Sequence, residues 1–357
     1  MPAAHGHDGA APDAAQRIYL KPLAAPGLCG DDTFALAGGP LRFSQCELIE
    51  RRRDDVTRRR LPATAAQALS PQLFDRLTAP RPPLAGLDWQ QPRLMAVLNV
   101  TPDSFFDGGR FDSAEDAVAA GKALLADGAD IVDVGGESTR PGAVPVSTDE
   151  ELARVGPVLA GLVAAGVPVS VDTRRAAVMQ AAVSAGAVLI NDVSALGYDP
   201  ASAAVAAESG VPVVLMHSRG EPDTMARQAR YDDVVLDVYD ELQAALARAE
   251  AAGIDRERVL IDPGIGFAKT ARQSVAVLAD LSLLHGLGCP LLIGASRKSF
   301  IAGITGEVPA ERRLPGSLTA VLAGRAAGVQ AFRVHDVMET RQALTLWEAT
   351  VAAVGRA

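Results

Sequence analysis

The chain's 357 residues are 48% hydrophobic and 22% charged, a globular composition long enough for one large domain and an accessory piece. Its net charge of −9 argues against a general nucleic-acid surface or attachment to anionic membranes, so any anionic substrate must be held by a local basic cluster. Three widely spaced cysteines, Cys29, Cys46 and Cys289, make neither a disulfide framework nor a zinc site and suit a reducing, cytoplasmic location.

Residues 1–17, opening "MPAAHGHDGAAPDAAQ", read as a disordered tail. They carry no basic n-region or apolar h-region, so they are not a signal peptide, and no run in the chain reaches the roughly 18 apolar residues of a membrane span. Residues 18–90 form a small α+β N-terminal extension to which the sequence assigns no role. In it, "RIYLKPL" and "LRFSQCELIE" read as strands and "RRRDDVTRRR" as a charged hairpin turning at Asp54-Asp55. That arginine run lacks interleaved aromatics and is interrupted by carboxylates, so it is not a nucleic-acid site. "TAAQALSPQLFDRL" follows as a short helix and "APRPPLAG" as a Pro-rich linker.

From residue 91 to 357 the pattern becomes regular. Short apolar runs alternate with Ala-rich stretches that carry apolar residues at i, i+3 and i+4. The runs are "LMAVLN", "DIVDVG", "VPVSVD", "AVLIND", "VPVVLMH", "RVLIDPG", "CPLLIGAS" and "VQAFRVHD". Near-continuous apolar strands separated by helices mean parallel strands covered on both faces. Eight units in about 260 residues fit a (β/α)₈ TIM barrel better than an open doubly wound sheet. Barrels place their chemistry at the C-terminal ends of the strands. Asn99, Asp133, Asp172, Asn191, His217, Asp262, Ser296 and Arg333 each lie at or near the end of a different run. Any one of them would serve as a helix cap; eight converging on one rim favour a site.

Arg297 and Lys298 follow the seventh run and Arg333 and His335 the eighth, where barrel phosphate sites form. Such a cluster in an acidic chain suits a diphosphate. Asp172, Asn191 and Asp262 would face one another across the mouth, where carboxylates and an amide match the N–H and amino edge of a pyrimidinone or pterin. Asn99, beside a diphosphate, would help hold a hydrated Mg²⁺. "NVTPDSFFDGG", with Phe105, and "GGESTRPGAVPVS", with Thr139, Arg140 and Pro141, read as closing lids. Phe267 in "DPGIGF" would cover a flat ligand. That motif lacks the rest of a dinucleotide signature.

"LNVTPDSFFDGG", "DVGGESTRPGA", "VSVDT", "INDVSAL", "DPGIGF", "SRKSF" and "RVHDV" stand in the order and spacing of the dihydropteroate synthase family, which the chain resembles over roughly residues 93–350. The resemblance implies a TIM-barrel transferase of folate biosynthesis and a sulfonamide target. The family joins 6-hydroxymethyl-7,8-dihydropterin diphosphate to 4-aminobenzoate and releases diphosphate by a dissociative substitution. By this likeness Asp172, Asn191, Met216, Asp262 and Lys298 would bind the pterin. Asn99, with Mg²⁺, and Arg333 and His335 would bind the diphosphate. Phe105, Thr139, Pro141, Phe267 and Ser299 would bind the arylamine. Asp103, Arg140, Lys298, Arg333 and His335 form the expected catalytic set, and a homodimer is the expected assembly. "ARQSVAVL" after "GFAKT" departs from the family's usual His-Asn, and only a local change in helix capping is expected there. Two other readings stand beside it. A pterin-binding methyltetrahydrofolate–corrinoid methyltransferase would not need the diphosphate cluster. A catalytically silent pterin-binding paralogue would have its mouth occluded by the extension.

Overall fold

A computed structural model describes residues 16–52, 55–100, 113–138, 145–221 and 224–354. Eight parallel strands run β6 (Arg93–Asn99), β7 (Ile131–Gly135), β8 (Val169–Asp172), β9 (Leu189–Asp192), β10 (Val213–Met216), β11 (Val259–Asp262), β12 (Leu292–Ile293) and β13 (Ala331–Val334). Their order in the sheet is β11-β10-β9-β8-β7-β6-β13-β12. The two ends meet through a parallel bridge between Ile261 and Leu291, with Ile261 N donating to Pro290 O at 2.9 Å. The sheet is thus a barrel, not an open sheet. Its strands are the eight apolar runs of the sequence, trimmed by the turns that flank them.

Helices α3 (Ala114–Ala126), α4 (Thr148–Ala164), α5 (Ala176–Ala185), α6 (Ser202–Ser209), α7 (Val234–Ala251), α8 (Ala271–Ala279), α9 (Ser299–Thr305), α10 (Leu314–Ala326) and α11 (Val337–Val354) surround the strands. Side chains start several of them in the way that orphan N–H groups demand. Ser113 accepts from Asp116 N and Ser147 from Glu150 N, both at 3.2 Å, and Asp233 accepts from Val235 N at 3.0 Å. At the departing "ARQSVAVL" stretch, Thr270 accepts from Gln273 N at 3.2 Å while Gln273 Oε1 accepts from Thr270 N at 2.8 Å. This reciprocal box starts α8 without the family's usual residues. Among the described residues no helix is long and apolar enough to cross a membrane.

The extension has β1 (Arg17–Pro22), β2 (Phe34–Ala35), β3 (Arg42–Phe43), β4 (Gln45–Arg52), β5 (Asp55–Pro62), α1 (Ala63–Leu69) and α2 (Pro71–Thr78). The arginine-rich hairpin is present as antiparallel β4 and β5, closed by the pair Arg52–Asp55. Asp55 thus belongs to β5 rather than to the turn expected at Asp54-Asp55, and residues 53–54 lie outside the described residues. The single helix expected over "TAAQALSPQLFDRL" is two. Pro71 has no N–H to continue α1 and instead takes the first position of α2. Residues 1–15 of the expected tail lie outside the described residues.

The extension docks on α7 by charge and packing together. Tyr19 donates to Asp240 at 3.0 Å, Arg51 pairs with Asp237 at 2.7 Å and Arg58 with Asp233 at 3.0 Å, while Lys21 pairs with Asp280. Arg51 and Arg58 of the hairpin are thus matched to carboxylates. Tyr19 and Ile49 join the same apolar core as the barrel helices, and Tyr19 meets Tyr239 edge-on at 5.2 Å. The expected linker is no loose tether. Leu84, Leu87 and Trp89 pack on Ile131, Leu189, Val214, Leu260, Leu292 and Ala331 at the N-terminal starts of barrel strands. Burying three such side chains stabilises by roughly 1.5–3 kcal/mol each. It also plugs the lower opening, which leaves the C-terminal rim as the accessible mouth.

Candidate active site

The parallel register sets one polar row across the rim. Asn99 pairs with Gly135, Gly135 with Asp172, and Asp172 with Asn191. Gly135 supplies no side chain to that row. A Cβ there would stand 3.5 Å from Asp172 Oδ2 and 3.7 Å from Asn99 Oδ1, so the glycine keeps two oxygen donors facing a shared space. Further round, Met216 pairs with Asp262.

Below this row lies a buried ionic network. Asp133 Oδ2 accepts from Asn191 Nδ2 at 2.9 Å and from Arg333 Nε at 2.6 Å, and Arg333 Nη2 donates to Asp172 Oδ2 at 2.7 Å. Among the described residues Asp133 Oδ1 is buried with no hydrogen-bond partner. Burial pushes the Asp172 carboxyl up against the pull of Arg333, and Asp133 adds to the rise. Asp262 is likewise raised by burial, against Lys298 and the 2.7 Å bond it accepts from Gly264 N. Lys298 donates to Ile265 O at 2.6 Å, and its ammonium lies 4.4 Å from the Phe267 ring centroid. Burial lowers it to about 8. Lys298 Nζ and Arg333 Cδ both come within 3.9 Å of the position a Cβ would take at Gly294, so the two cations flank one backbone gap.

Most predicted residues therefore meet. Asp172, Asn191 and Arg333 share bonds with Asp133, a strand-end residue expected at the rim but given no ligand there; Asp262, Lys298, Phe267 and Met216 surround the turn after β11, with Met216 Cγ 3.4 Å from a Cβ built on Gly264. His335 lies at the end of β13, its Nδ1 3.0 Å from Ser296 Oγ. Ser299 is the exposed first residue of α9. Arg297 leaves the cluster expected of it. Its guanidinium is taken by Asp336, Nε to Oδ2 at 3.0 Å, and its backbone sits at φ +58, a strained setting for a non-glycine residue. Asp103, Phe105, Thr139, Arg140 and Pro141 lie outside the described residues. The stems on either side of residues 139–144 are tied together: Glu137 accepts from Val146 N at 3.2 Å and from Arg175 Nη2 at 3.0 Å.

Sequence reasoning passed over Lys269, Glu241 and Arg219. Lys269 Nζ lies 2.8 Å from His217 Nδ1 and donates to Gly264 O and Phe267 O, each at 3.0 Å. His217 Nε2 meets Glu241 Oε2 at 3.0 Å, and Arg219 Nε holds Glu241 Oε1 at 3.0 Å. Burial and the Lys269 charge lower the His217 ring to about 4. The neutral ring then accepts at Nδ1 and donates from Nε2. No period in "GFAKT" reveals that its lysine turns inward. Asp133 stands out in the sequence as the one carboxylate inside the apolar run "IVDVG", but nothing there shows its bonds to Asn191 and Arg333.

These shifts set an acid limit. The unfolded chain protonates a histidine near its ordinary 6.5, whereas folded His217 resists to about 4 and buried His285 to about 3. Each contributes stability that is fully present above pH 6.5 and lost as pH falls toward those values. The buried Asp172 and Asp192 carboxyls, raised by burial, act in the opposite sense over this range, so the histidine contribution is read as a difference: His285→Asn should lose less melting temperature between pH 7 and 4.5 than the parent. Parallel slopes for the two proteins would contradict this.

Comparison with known proteins decides the family. Residues 95–335 match the family described as "Pterin binding enzyme". The dihydropteroate synthase of Neisseria meningitidis serogroup B is 47% identical over 269 residues, covering 74% of this chain and 94% of that protein. The chain belongs to the dihydropteroate synthase family. Two Xanthomonas albilineans dihydropteroate synthase structures superpose on it. The one with 4-aminobenzoic acid has a TM-score of 0.70 at 49% identity, covering 75% of this chain and 97% of that one. The one with 7,8-dihydropteroate has a TM-score of 0.68 at 46% identity, covering 74% and 96%. The chain is thus a transferase of folate biosynthesis that condenses the pterin diphosphate with 4-aminobenzoate to 7,8-dihydropteroate. The family match begins at residue 95, so the extension stands outside it.

Proposed function

We propose that the synthase reaction runs on an acidic floor and a cationic lip joined by Arg333. The observation that carries this is the pair of bonds from one guanidinium to Asp133 at 2.6 Å and Asp172 at 2.7 Å. Asp172, Asn191 and Asp262 would hold the pterin edge, with Met216 and Lys298 against the ring. Arg333 and His335 would take the diphosphate oxygens, Arg140 would reach the leaving group, and Asp103 would complete the catalytic set. Phe267 and Ser299 would wall the arylamine, together with Phe105, Thr139 and Pro141.

Chemistry follows from that charge layout. The bond between the pterin methylene carbon and the diphosphate oxygen breaks first, and its electron pair leaves with the diphosphate. Arg333 and His335 stabilise that departing charge, while Asp172 and Asp262 steady the pterin cation left behind. The 4-aminobenzoate nitrogen then donates its lone pair to the methylene carbon and afterwards loses a proton. Neither step needs a covalent enzyme nucleophile.

The donors fit a magnesium ion held mainly by its substrate. Asn99 Oδ1 and Asp172 Oδ2 face the gap at Gly135. Among the described residues no group of three His, Cys, Asp or Glu could hold a metal alone. Asn99 would supply one hard oxygen, with the rest coming from diphosphate and water. When bound, Mg²⁺ would neutralise charge on the leaving diphosphate.

Purified chain given pterin diphosphate, 4-aminobenzoate and Mg²⁺ should release diphosphate and form dihydropteroate, and Lys298→Ala should weaken pterin binding at least about tenfold. Near-normal turnover by that variant would refute the assignment. The same preparation should sediment as a homodimer. Met338 and Leu346 on α11, 61% and 67% exposed, offer apolar side chains for it. A monomer mass would remove that part. Methyl transfer to a corrinoid protein has no use for the lip.

A further inference from the structure

We propose that Lys269 is a positioning residue for the arylamine side of the site, fixing the turn that carries Phe267; this rests on Phe267 walling the arylamine. The turn after β11 has no regular structure to hold it. Gly264, Gly266 and Ala268 all adopt left-handed backbone, with φ of +65, +82 and +47. For Ala268 that conformation costs roughly 1–2 kcal/mol. Phe267 N donates to Gly264 O at 3.0 Å, and Tyr231 donates to Ala268 O at 3.0 Å. Glycine suits two of these positions, but Ala268 goes against its local preference and must be held by its surroundings.

Two lysines hold the turn. Lys298 reaches Ile265 O at 2.6 Å, and Lys269 reaches the carbonyls on either side of it, Gly264 O and Phe267 O, at 3.0 Å each. Lys269 is buried, and its third hydrogen goes to His217 Nδ1 at 2.8 Å. Its three donors thus find three acceptors, which a buried ammonium requires. His217 in turn is oriented by Glu241, held by Arg219, so the turn is referenced to α7 rather than to its own loop. The charged groups around Lys269 are Asp262 and Glu241, which favour its ammonium, and Lys298 and Arg219, which oppose it. Lys269's own three bonds reach neither Asp172 nor Asn191, and the turn meets Asp262 only through Gly264 N, at 2.7 Å. Loosening them should move Phe267 and spare Asp172 and Asn191.

Lys269→Met keeps the length and removes the donors. Steady-state kinetics should show KM for 4-aminobenzoate raised about tenfold, pterin diphosphate KM within about twofold and kcat within about threefold. Glu241→Gln acts on a 40%-exposed side chain and leaves the core packing in place. It should raise the same KM by about threefold, which decides the matter if the methionine variant does not fold. Phe267→Ala is the reference, with the same selective rise. An unchanged arylamine KM in Glu241→Gln, or an equal loss toward both substrates in Lys269→Met, overturns the positioning role. An unchanged arylamine KM in Phe267→Ala overturns the wall assignment and the proposal with it, and is read independently of both other variants.

Discussion

Arg333→Leu should lower kcat/KM by about 10³ or more, because it removes a charge-matched donor from the departing diphosphate. The expectation has a second part. Arg333 bonds two buried carboxylates, Asp133 and Asp172, at 2.6 and 2.7 Å. Deleting one partner of such a network costs about 3–5 kcal/mol when the remaining charges stay ionised. In the variant the Asp172 carboxyl avoids that cost by keeping a proton. Its folded pKa then lies further above the unfolded 3.8. A raised carboxyl pKa lets the folded state hold a proton that the unfolded state has released, so stability falls as pH rises through that window. Arg333→Leu should therefore melt at a lower temperature at pH 8 than at pH 5.5, opposite in sign to the contribution of His217 and His285. Adding Asp133→Asn should restore part of the stability but none of the turnover. Recovery of activity in that double variant would show that Arg333 only neutralises the floor.

Gly264→Ala should be nearly as damaging without touching a charge. The backbone is at φ +65, and an added Cβ would stand 2.0 Å from His217 O. That neighbour cannot swing aside, because it is main chain in the segment where His217 N donates to Asp262 O at 2.9 Å. Left-handed strain of about 1–2 kcal/mol and overpacking of about 1–3 kcal/mol combine to roughly 2–5 kcal/mol. Differential scanning calorimetry should register this as a fall of about 3–7 °C. Residual activity should drop further than the folded fraction, since Asp262 and Phe267 flank the displaced turn. A melting temperature equal to the parent's would mean that the turn has another conformation.

Much of this site follows from chain chemistry alone. Strands that are apolar on both faces must be covered on both sides, so eight of them alternating with helices close into a barrel with polar termini on one rim. Asn99, Asp172, Asn191, Asp262 and Arg333 were legible for that reason: each interrupts an apolar run where a strand must end. Ser113, Ser147 and Thr270 were legible as caps by the same local logic. Pairings between distant segments were not. Nothing near Arg297 says that Asp336 will claim it, while Arg333, also cationic at a strand end, turns to Asp133 and Asp172. Lys269 is invisible for the same reason, because its acceptors come from a turn and from the end of a different strand. Composition suggested a linker at "APRPPLAG", yet Leu84, Leu87 and Trp89 plug the barrel floor, since Pro-rich backbone needs few partners and is free to follow a surface. Periodicity and turn chemistry act over a few residues and set which groups face the rim. Which of those groups meet is decided by closure of the barrel, where ion pairs and buried donors find partners according to distance in space.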